Sequence, residues 1–520
     1  MMRSPVRAAF VNALCLATVA TAARAQTVVP AIRAWRVQHE PEIVRELAAL
    51  VAIPNVAADG PNIRRNAELI KSMLEKRGVT ARILENGAHP PAVYGELKVP
   101  RTTRTVVLYA HYDGQPVDAR EWVTSPWQPT LRGQPAADGT MGAVLQIPER
   151  GRLDPESRLY ARSASDDKSP IVAMLSALDA MRASGLAPSM NLKFFFEGEE
   201  EAGSGHLREL LERNKELLRA DAWLICDGPV HQSRKQLIDF GVRGVTGLEL
   251  TTFGPSHSLH SGHYGNWAPN PGMLLVELLA SMRDGEGRIL IDHYMDDVLP
   301  PTAAELAASR ALPPVDDALR RELLLARTES NNALLAERIL LPAMNLRGIR
   351  MGAVAPLATN SISATASASI DFRLVPNQTP EHVRALVEAH LTKRGWHITH
   401  DSVTAAMRLA HPRLVRLQWE DGYPATRTSM ELPVSLALRK VVSEAVGSEV
   451  LVRPTSGGSL GQNIFVEVLK VPIIGLPIVN HDNNQHAKDE NLRIQNLWDG
   501  IEVLGSVMAR LGTAWPGVVP

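Results

Sequence analysis

Asn191-Leu-Lys-Phe194-Phe195-Phe196-Glu197-Gly198-Glu199-Glu200-Glu201 is the stretch that decides how this chain is read. Its apolar part is too short for a buried helix and carries three consecutive aromatics, so it reads as a buried strand delivering acids to a rim. The same arrangement recurs twice. Val106-Val-Leu-Tyr-Ala110 runs into His111 and Asp113, and Trp223-Leu-Ile-Cys226 runs into Asp227. Ser165-Asp166-Asp167-Lys168 lies between them in sequence, and His486 lies far downstream. Parallel α/β sheets gather their chemistry beyond the carboxyl ends of the strands. Acids and imidazoles converging there are costly to desolvate unless a cation sits among them. The pattern asks for metal.

Outward from these strands, residues 32–77 read as helical, with Asn62 as a candidate cap and Gly78 as a stop. Strands are expected near 80–85, 92–98 and 104–110. A helix is expected over Ser169–Ser184, with Pro170 in its first turn and Gly185 at its end. A strand at 191–196, a helix over 205–218 and a strand at 222–226 complete a βαβαβ rhythm. The texture then changes. Gly241-Val-Arg-Gly-Val-Thr-Gly-Leu-Glu-Leu-Thr-Thr-Phe253 reads as an edge-like strand. Helices follow at 271–284 and 301–340, and alternation from Ile362 to Leu374 reads as a strand. The first rhythm resumes with a helix at 434–446, closed by Gly447, and the apolar run from Val471 to Ile478. The fold class is therefore α/β: a mixed, mostly parallel sheet flanked by helices, with a smaller α+β domain inserted. The expected boundaries are 26–239 and 426–520 for the catalytic part and 240–425 for the insertion.

Residues 1–25 read as a secretory signal: Arg3 and Arg7, an apolar small-residue run, then Ala23-Arg24-Ala25 before Gln26. Export to the periplasm or beyond is the expectation, with no membrane anchorage after cleavage. Loss of Arg3, Arg7 and Arg24 leaves 52 basic side chains against 56 acidic ones, a net charge of about −4. That balance, without a basic stripe, excludes a nucleic-acid binder. Cys15 departs with the signal, so Cys226 stands alone and no intramolecular disulfide supports the mature chain.

Each acid motif also has an ordinary reading. Asp113-Gly114 is a turn signal, Asp166-Asp167-Lys168 is a plausible solvated turn, and Glu199-Glu200-Glu201 could be an exposed acid run. Taken alone, Asp166-Asp167-Lys168 reads better as a turn, whereas the three phenylalanines before Glu199-Glu200-Glu201 deliver that run to a rim and favour the site. Neighbouring carboxylates allow one to bind metal while the next takes a proton. His257, His260 and His263 could form a metal tract of their own, and His481 competes with His486.

Taken together, Tyr109-Ala-His-Tyr-Asp-Gly-Gln-Pro-Val-Asp118, Arg162-Ser-Ala-Ser-Asp-Asp-Lys168 and Glu197-Gly-Glu-Glu-Glu-Ala-Gly-Ser204 resemble the M20 metallopeptidases. Leu259-His-Ser-Gly-His-Tyr-Gly265, Phe372-Arg-Leu-Val-Pro-Asn-Gln378 and His486-Ala-Lys-Asp-Glu490 extend the match toward the carnosinase-like and glutamate carboxypeptidase-like dipeptidase branch. The resemblance implies two divalent ions, zinc or alternatively manganese or cobalt. His111 and Asp227 would hold one and Glu201 and His486 the other, with Asp166 between them. Glu200 would be the general base and Asp113 would orient His111. His260 would act on the partner's site in a homodimer, and the insertion would serve as lid and dimerisation domain. Arg373, Asn360, Gly458 and Ser459 would hold the substrate.

The implied function is amide hydrolysis of dipeptides, short peptides or N-acyl amino acids. A non-peptide amidohydrolase is the first rival and a non-catalytic binding relative the second. The chain departs from the family at Ser163 and Ser169, where glycine is usual, at Ser361-Ile362-Ser363, where Val-Ile-Pro is usual, and at Asp489, where Asn is common.

Overall fold

The computed structural model describes residues 6–136, 138–458 and 461–516. Residues 1–5 of the expected signal lie outside that range. The chain forms two compact units. One runs to Phe240 and resumes over Thr428–Val452 and from Ile464; the other takes Gly241–Arg427 and the strip Arg453–Asn463.

The first unit is built on an eight-stranded sheet. Its order is Thr80–Asn86, His89–Leu97, Asn191–Glu197, Thr105–His111, Ala222–Ile225, Ile473–Gly475, Leu237–Asp239 and Leu451–Arg453. The four middle strands run parallel, while His89–Leu97 and Thr80–Asn86 are added antiparallel. Val106, Val107, Leu108, Phe194, Phe195, Phe196, Trp223 and Leu224 are fully buried, as continuous apolar runs in a two-sided sheet must be. Register pairs His111 with Glu197 and Tyr109 with Ile225, so the residues after all three strands emerge at one edge.

Helix Lys168–Ala183 is buried almost along its whole length. It packs against helices Val6–Val51 and Ile494–Ala514, which are themselves joined by ion pairs. Arg36 donates to Glu40 (2.5 Å) and to Glu502 (3.0 Å), and Arg33 also reaches Glu502 (2.7 Å). A small antiparallel sheet of Thr130–Arg132, Arg158–Tyr160 and Asn491–Arg493 sets the loop carrying His486 beside the segment entering Asp166.

Several local expectations are revised. Asp59 caps helix Gly60–Lys76, accepting from the Asn62 amide, because Pro61 fits the first turn and starts the helix earlier. The expected 205–218 helix breaks at Asn214 into Leu207–Arg213 and Lys215–Leu218. The 301–340 region forms Ala303–Ala311, Asp316–Glu322 and Leu335–Arg338, separated where Pro313-Pro314 removes donors and by an irregular stretch after Leu323.

The second unit holds a five-stranded sheet, ordered Ala343–Arg350, Thr365–Leu374, Gly244–Phe253, Leu414–Trp419 and His397–Thr399. Gly244–Phe253 is thus an inner strand, paired on both sides, and not the expected edge. Its glycines mark close approach: a Cβ at Gly247 would stand 1.9 Å from the Glu420 carboxylate, and one at Gly244 2.4 Å from the Tyr423 carbonyl. Helices Pro271–Met282 and Pro380–Lys393 supply Leu275, Leu278, Val383 and Val387 to the core beneath this sheet. Among the described residues no helix is long and apolar enough to cross a membrane.

Candidate metal centre

His111, at the end of its strand, is fully buried. Its Nε2 lies 2.9 Å from Asp166 Oδ1, and its Nδ1 lies 3.4 Å from Asp113 Oδ1. Asp113 in turn accepts from the backbone N–H of Glu200 (3.1 Å) and Glu201 (3.0 Å). One carboxylate thereby fixes both the imidazole and the turn of the acid run. The other oxygen of Asp166 is 3.1 Å from His486 Nε2, which is also 3.2 Å from Glu201 Oε2. Asp227 and Glu200 each bring an oxygen to 4.0 Å from His111 Nε2. Gln115 donates to Glu201 at 2.7 Å. Both histidines of this loop are exposed, and it is His486 that makes these approaches.

Two overlapping groups can each offer donor atoms within 4.8 Å of one another: His111, Asp166 and Glu201, and His111, Asp167 and Asp227. Asp167 was not among the expected ligands. Its Oδ2 accepts from the His111 N–H at 3.3 Å, and its buried Oδ1 has no hydrogen-bond partner. A buried, unpartnered carboxylate oxygen facing this cluster fits a cation.

The electrostatics agree. Burial, reinforced by Asp166, pushes Asp227 up to about 7. Burial likewise raises Asp113, Asp167 and Glu200. Burial would raise Asp166 too, but hydrogen bonds from His111 and His486 hold it below the carboxylate range. Asp166 and Glu201 draw His486 up to about 10. With protons as the only positive charge available, the acids resist ionising and the imidazoles become cations. Divalent ions on neutral imidazoles and ionised carboxylates relieve both.

The surroundings hold these groups firmly. Fully buried Glu490 accepts from Arg162 (2.8 Å) and from the backbone N–H of Ser163, Ser165 and Asp166 (3.0, 2.9 and 2.9 Å). Ser163, in place of the family's glycine, sits at φ +60°, a region glycine favours, and accepts at 2.8 Å from Asn55. Fully buried Lys168 donates to the Leu50 and Ile53 carbonyls. In the sequence Glu490 stands only as the last residue of the His486 motif; its cradle of donors is a contact no local pattern announces.

The expected substrate-binding residues fall in the second unit. His260 is exposed, pairs across a short ladder with Ser361, and lies 4.5 Å from His263 ring to ring. Asn360 is adjacent, its carbonyl accepting from Ser261. Among the described residues no donor group draws on His257, His260 or His263. Arg373 is half-buried and bonds Asp371 at 3.0 Å. Gly458 accepts from the Arg243 amide, and Ser459 lies outside the described residues. Arg243, which sequence did not single out, is buried; burial and neighbouring Arg373 and Arg338 push its guanidinium down to about 10. A lone arginine between Gly241 and Gly244, in a run from Phe240 to Leu248 otherwise of Gly, Thr and apolar residues, was the available signal.

Comparison with known proteins completes the assignment. Residues 107–510 match the profile of Peptidase family M20/M25/M40. The Cys-Gly metallodipeptidase of Schizosaccharomyces pombe is 27% identical over 496 residues, covering 91% of this chain and 96% of its own. The human Beta-Ala-His dipeptidase is 26% identical over 493 residues, covering 89% and 88%. In structure, an M20 family metallo-carboxypeptidase from Sulfolobus solfataricus aligns with TM-score 0.71 at 27% identity, over 91% of this chain and 99% of its own. The chain belongs to the M20/M25/M40 peptidase family and is a metal-dependent hydrolase.

Proposed function

We propose that this protein is an exported, homodimeric dipeptidase that holds two divalent ions, zinc in the first instance. The observation that carries the two-ion reading is Asp166, whose two oxygens each approach a different imidazole, His111 at 2.9 Å and His486 at 3.1 Å. His111 and Asp227 would hold one ion and Glu201 and His486 the other, with Asp166 in reach of both; Asp167 lies against the first group. Two such ions supply a Lewis acid for the scissile carbonyl and lower the pKa of the attacking water.

The chain's own residues do the rest. Glu200 takes a proton from the attacking water and returns it to the leaving amine. Asp113 keeps the His111 ring turned toward the cluster. Arg373 and Asn360, with Arg243, Gly458 and Ser459, hold the substrate's carboxylate and backbone, a task suited to guanidinium geometry. The partner subunit's His260 stabilises the developing oxyanion.

Support for dimerisation comes from the second unit. Strand Ala343–Arg350 is an unpaired edge exposing Leu346 and Ile349, and helix Pro271–Met282 exposes Met273 and Val276. Trp267, Val354 and Leu357 are also largely exposed, and such apolar surface marks an interface. Export rests on Arg3, Arg7 and Ala23-Arg24-Ala25, and an exported protein whose first residue is Gln26 is the expected result.

The test is to strip the protein with chelator, restore zinc, manganese or cobalt separately, and assay dipeptides, N-acyl amino acids and carbamoyl compounds side by side. Two ions per chain with recovery on dipeptides is expected. Full activity in metal-free protein would overturn the metal reading, and activity confined to carbamoyl compounds would overturn the dipeptidase reading.

A further inference from the structure

The acid run presents a second donor group on its other side. Glu199 points away from His111 toward His206, whose Nδ1 is 2.8 Å from Glu199 Oε1 and whose backbone N–H donates to Oε2 at 3.2 Å. His89, the first residue of strand His89–Leu97, stacks on His206 with ring centroids 3.3 Å apart and planes 14° from parallel. One donor atom from each of His89, Glu199 and His206 lies within 4.8 Å of the other two.

We propose that His89, Glu199 and His206 form an additional, surface metal site for a borderline divalent cation of the zinc or copper class. Two imidazole nitrogens with one carboxylate oxygen suit that class and not magnesium or calcium, which prefer all-oxygen shells. The three residues come from separate places in the fold: the start of a strand, the turn after Glu197, and the residue before helix Leu207–Arg213. Sequence-local charge patterning does not bring them together; tertiary structure does.

Glu199 is fixed from both oxygens by His206, so the site is half organised before an ion arrives. His89 is exposed and can swing out of the stack, which it must do for both ring lone pairs to meet one ion. Access is open. His89 and Glu199 also line a surface cavity of about 460 Å³ with Arg64, Glu85, Pro91 and Ala202, room for water to complete the coordination. An ion here would tie the beginning of the His89 strand to the turn bearing Glu200 and Glu201.

The experiment counts ions and does not rest on the reading of the central site. Metal-free wild type, His89→Ala and His206→Ala proteins are dialysed to equilibrium against Zn²⁺ alone, and bound zinc per chain is measured. Each variant should bind one ion fewer than wild type, whatever the central count is. Co²⁺ loading should show a visible band in wild type whose last-filled component is missing from both variants. Circular dichroism in chelator establishes that each variant is folded, and exposed His89 makes that variant the safer of the two. Equal zinc stoichiometry in wild type and folded His89→Ala would overturn the proposal and leave the two rings as a simple stack.

Discussion

The two units carry their functional side chains in opposite ways. In the first, His111 and Asp227 stand at or just beyond buried strands, Asp113 accepts from the Glu200 and Glu201 backbone N–H groups, and the backbone N–H groups of His111 and Asp166 donate to the buried carboxylates of Asp167 and Glu490. In the second, His260 is exposed on a two-residue ladder with Asn360 exposed just beside it, and Arg373 is half-buried on a strand. On the proposed reading, the first arrangement fixes reacting groups before substrate arrives, and the second presents recognition groups at or near the surface. Pre-organisation is most valuable where charge develops, and adaptable exposed groups suffice where a ligand is only held.

The largest expected effect sharpens this contrast. Glu200→Gln should keep both metals and lower kcat by about 10²–10⁴, the range for a general base. Glu201→Gln should instead lower metal content, because its oxygen stands 3.2 Å from His486. Kinetics together with metal analysis checks the pair, and exchanged phenotypes would move the base by one residue.

A second substitution is designed to break the contrast. His260 is exposed and lies in the second unit, yet His260→Ala should cost about 10²–10³ in kcat with metals intact if it supplies an oxyanion donor. Mixing it with Glu200→Gln protein under subunit exchange should restore activity, since one site of each mixed dimer keeps both residues. Demonstrated exchange without recovery would remove the partner subunit's His260 from the reaction.

Smaller effects follow. Arg373→Lys should mainly raise KM, by about 10- to 100-fold, because an ammonium cannot reproduce two parallel bonds to a carboxylate. An equal fall in kcat instead would place Arg373 in the chemistry. The smallest effect concerns the His486 loop. Burial would raise Asp482, but Arg158, Asn480 and Arg493 outweigh it and hold the carboxyl at about 2. A depressed value stabilises the fold above the ordinary aspartate value of 3.8 and stops doing so as pH falls toward about 2. Asp482 is half-exposed, so thermal melts of Asp482→Asn should trail wild type by no more than about 2–4 °C near neutral pH. The gap should close near pH 2; a gap that persists there would deny the ion pair its role.

The parallel strands were legible because runs such as Val106–Ala110 and Lys193–Phe196 are short, apolar and followed at once by acids. His111 was legible for the same reason, Asp166 and His486 through the family motifs, and the structure brings the three together. Asp167 was missed because neighbouring aspartates look alike until the backbone turns one oxygen into the cluster. The Gly241–Phe253 strand was read as an edge because glycine weakens strands, whereas here it admits Glu420 and Tyr423. Glu490 and Arg243 were passed over because their partners lie in other segments. Asn214 and Pro313-Pro314 break helices that periodicity alone extends.

Glu490 has a consequence in time as well as in space. It supports Asp166 across 324 positions of sequence, and Arg33 meets Glu502 across 469. Contacts of such separation form late and slowly, since the chain between them must first be brought to order. On the ribosome, the segment bearing Asp166 emerges long before the carboxylate that cradles its backbone. A chain interrupted anywhere before Glu490 would carry His111, Asp166 and Glu201 without their support or His486's loop fully tethered. The support of Asp166 therefore waits for the segment that carries Glu490.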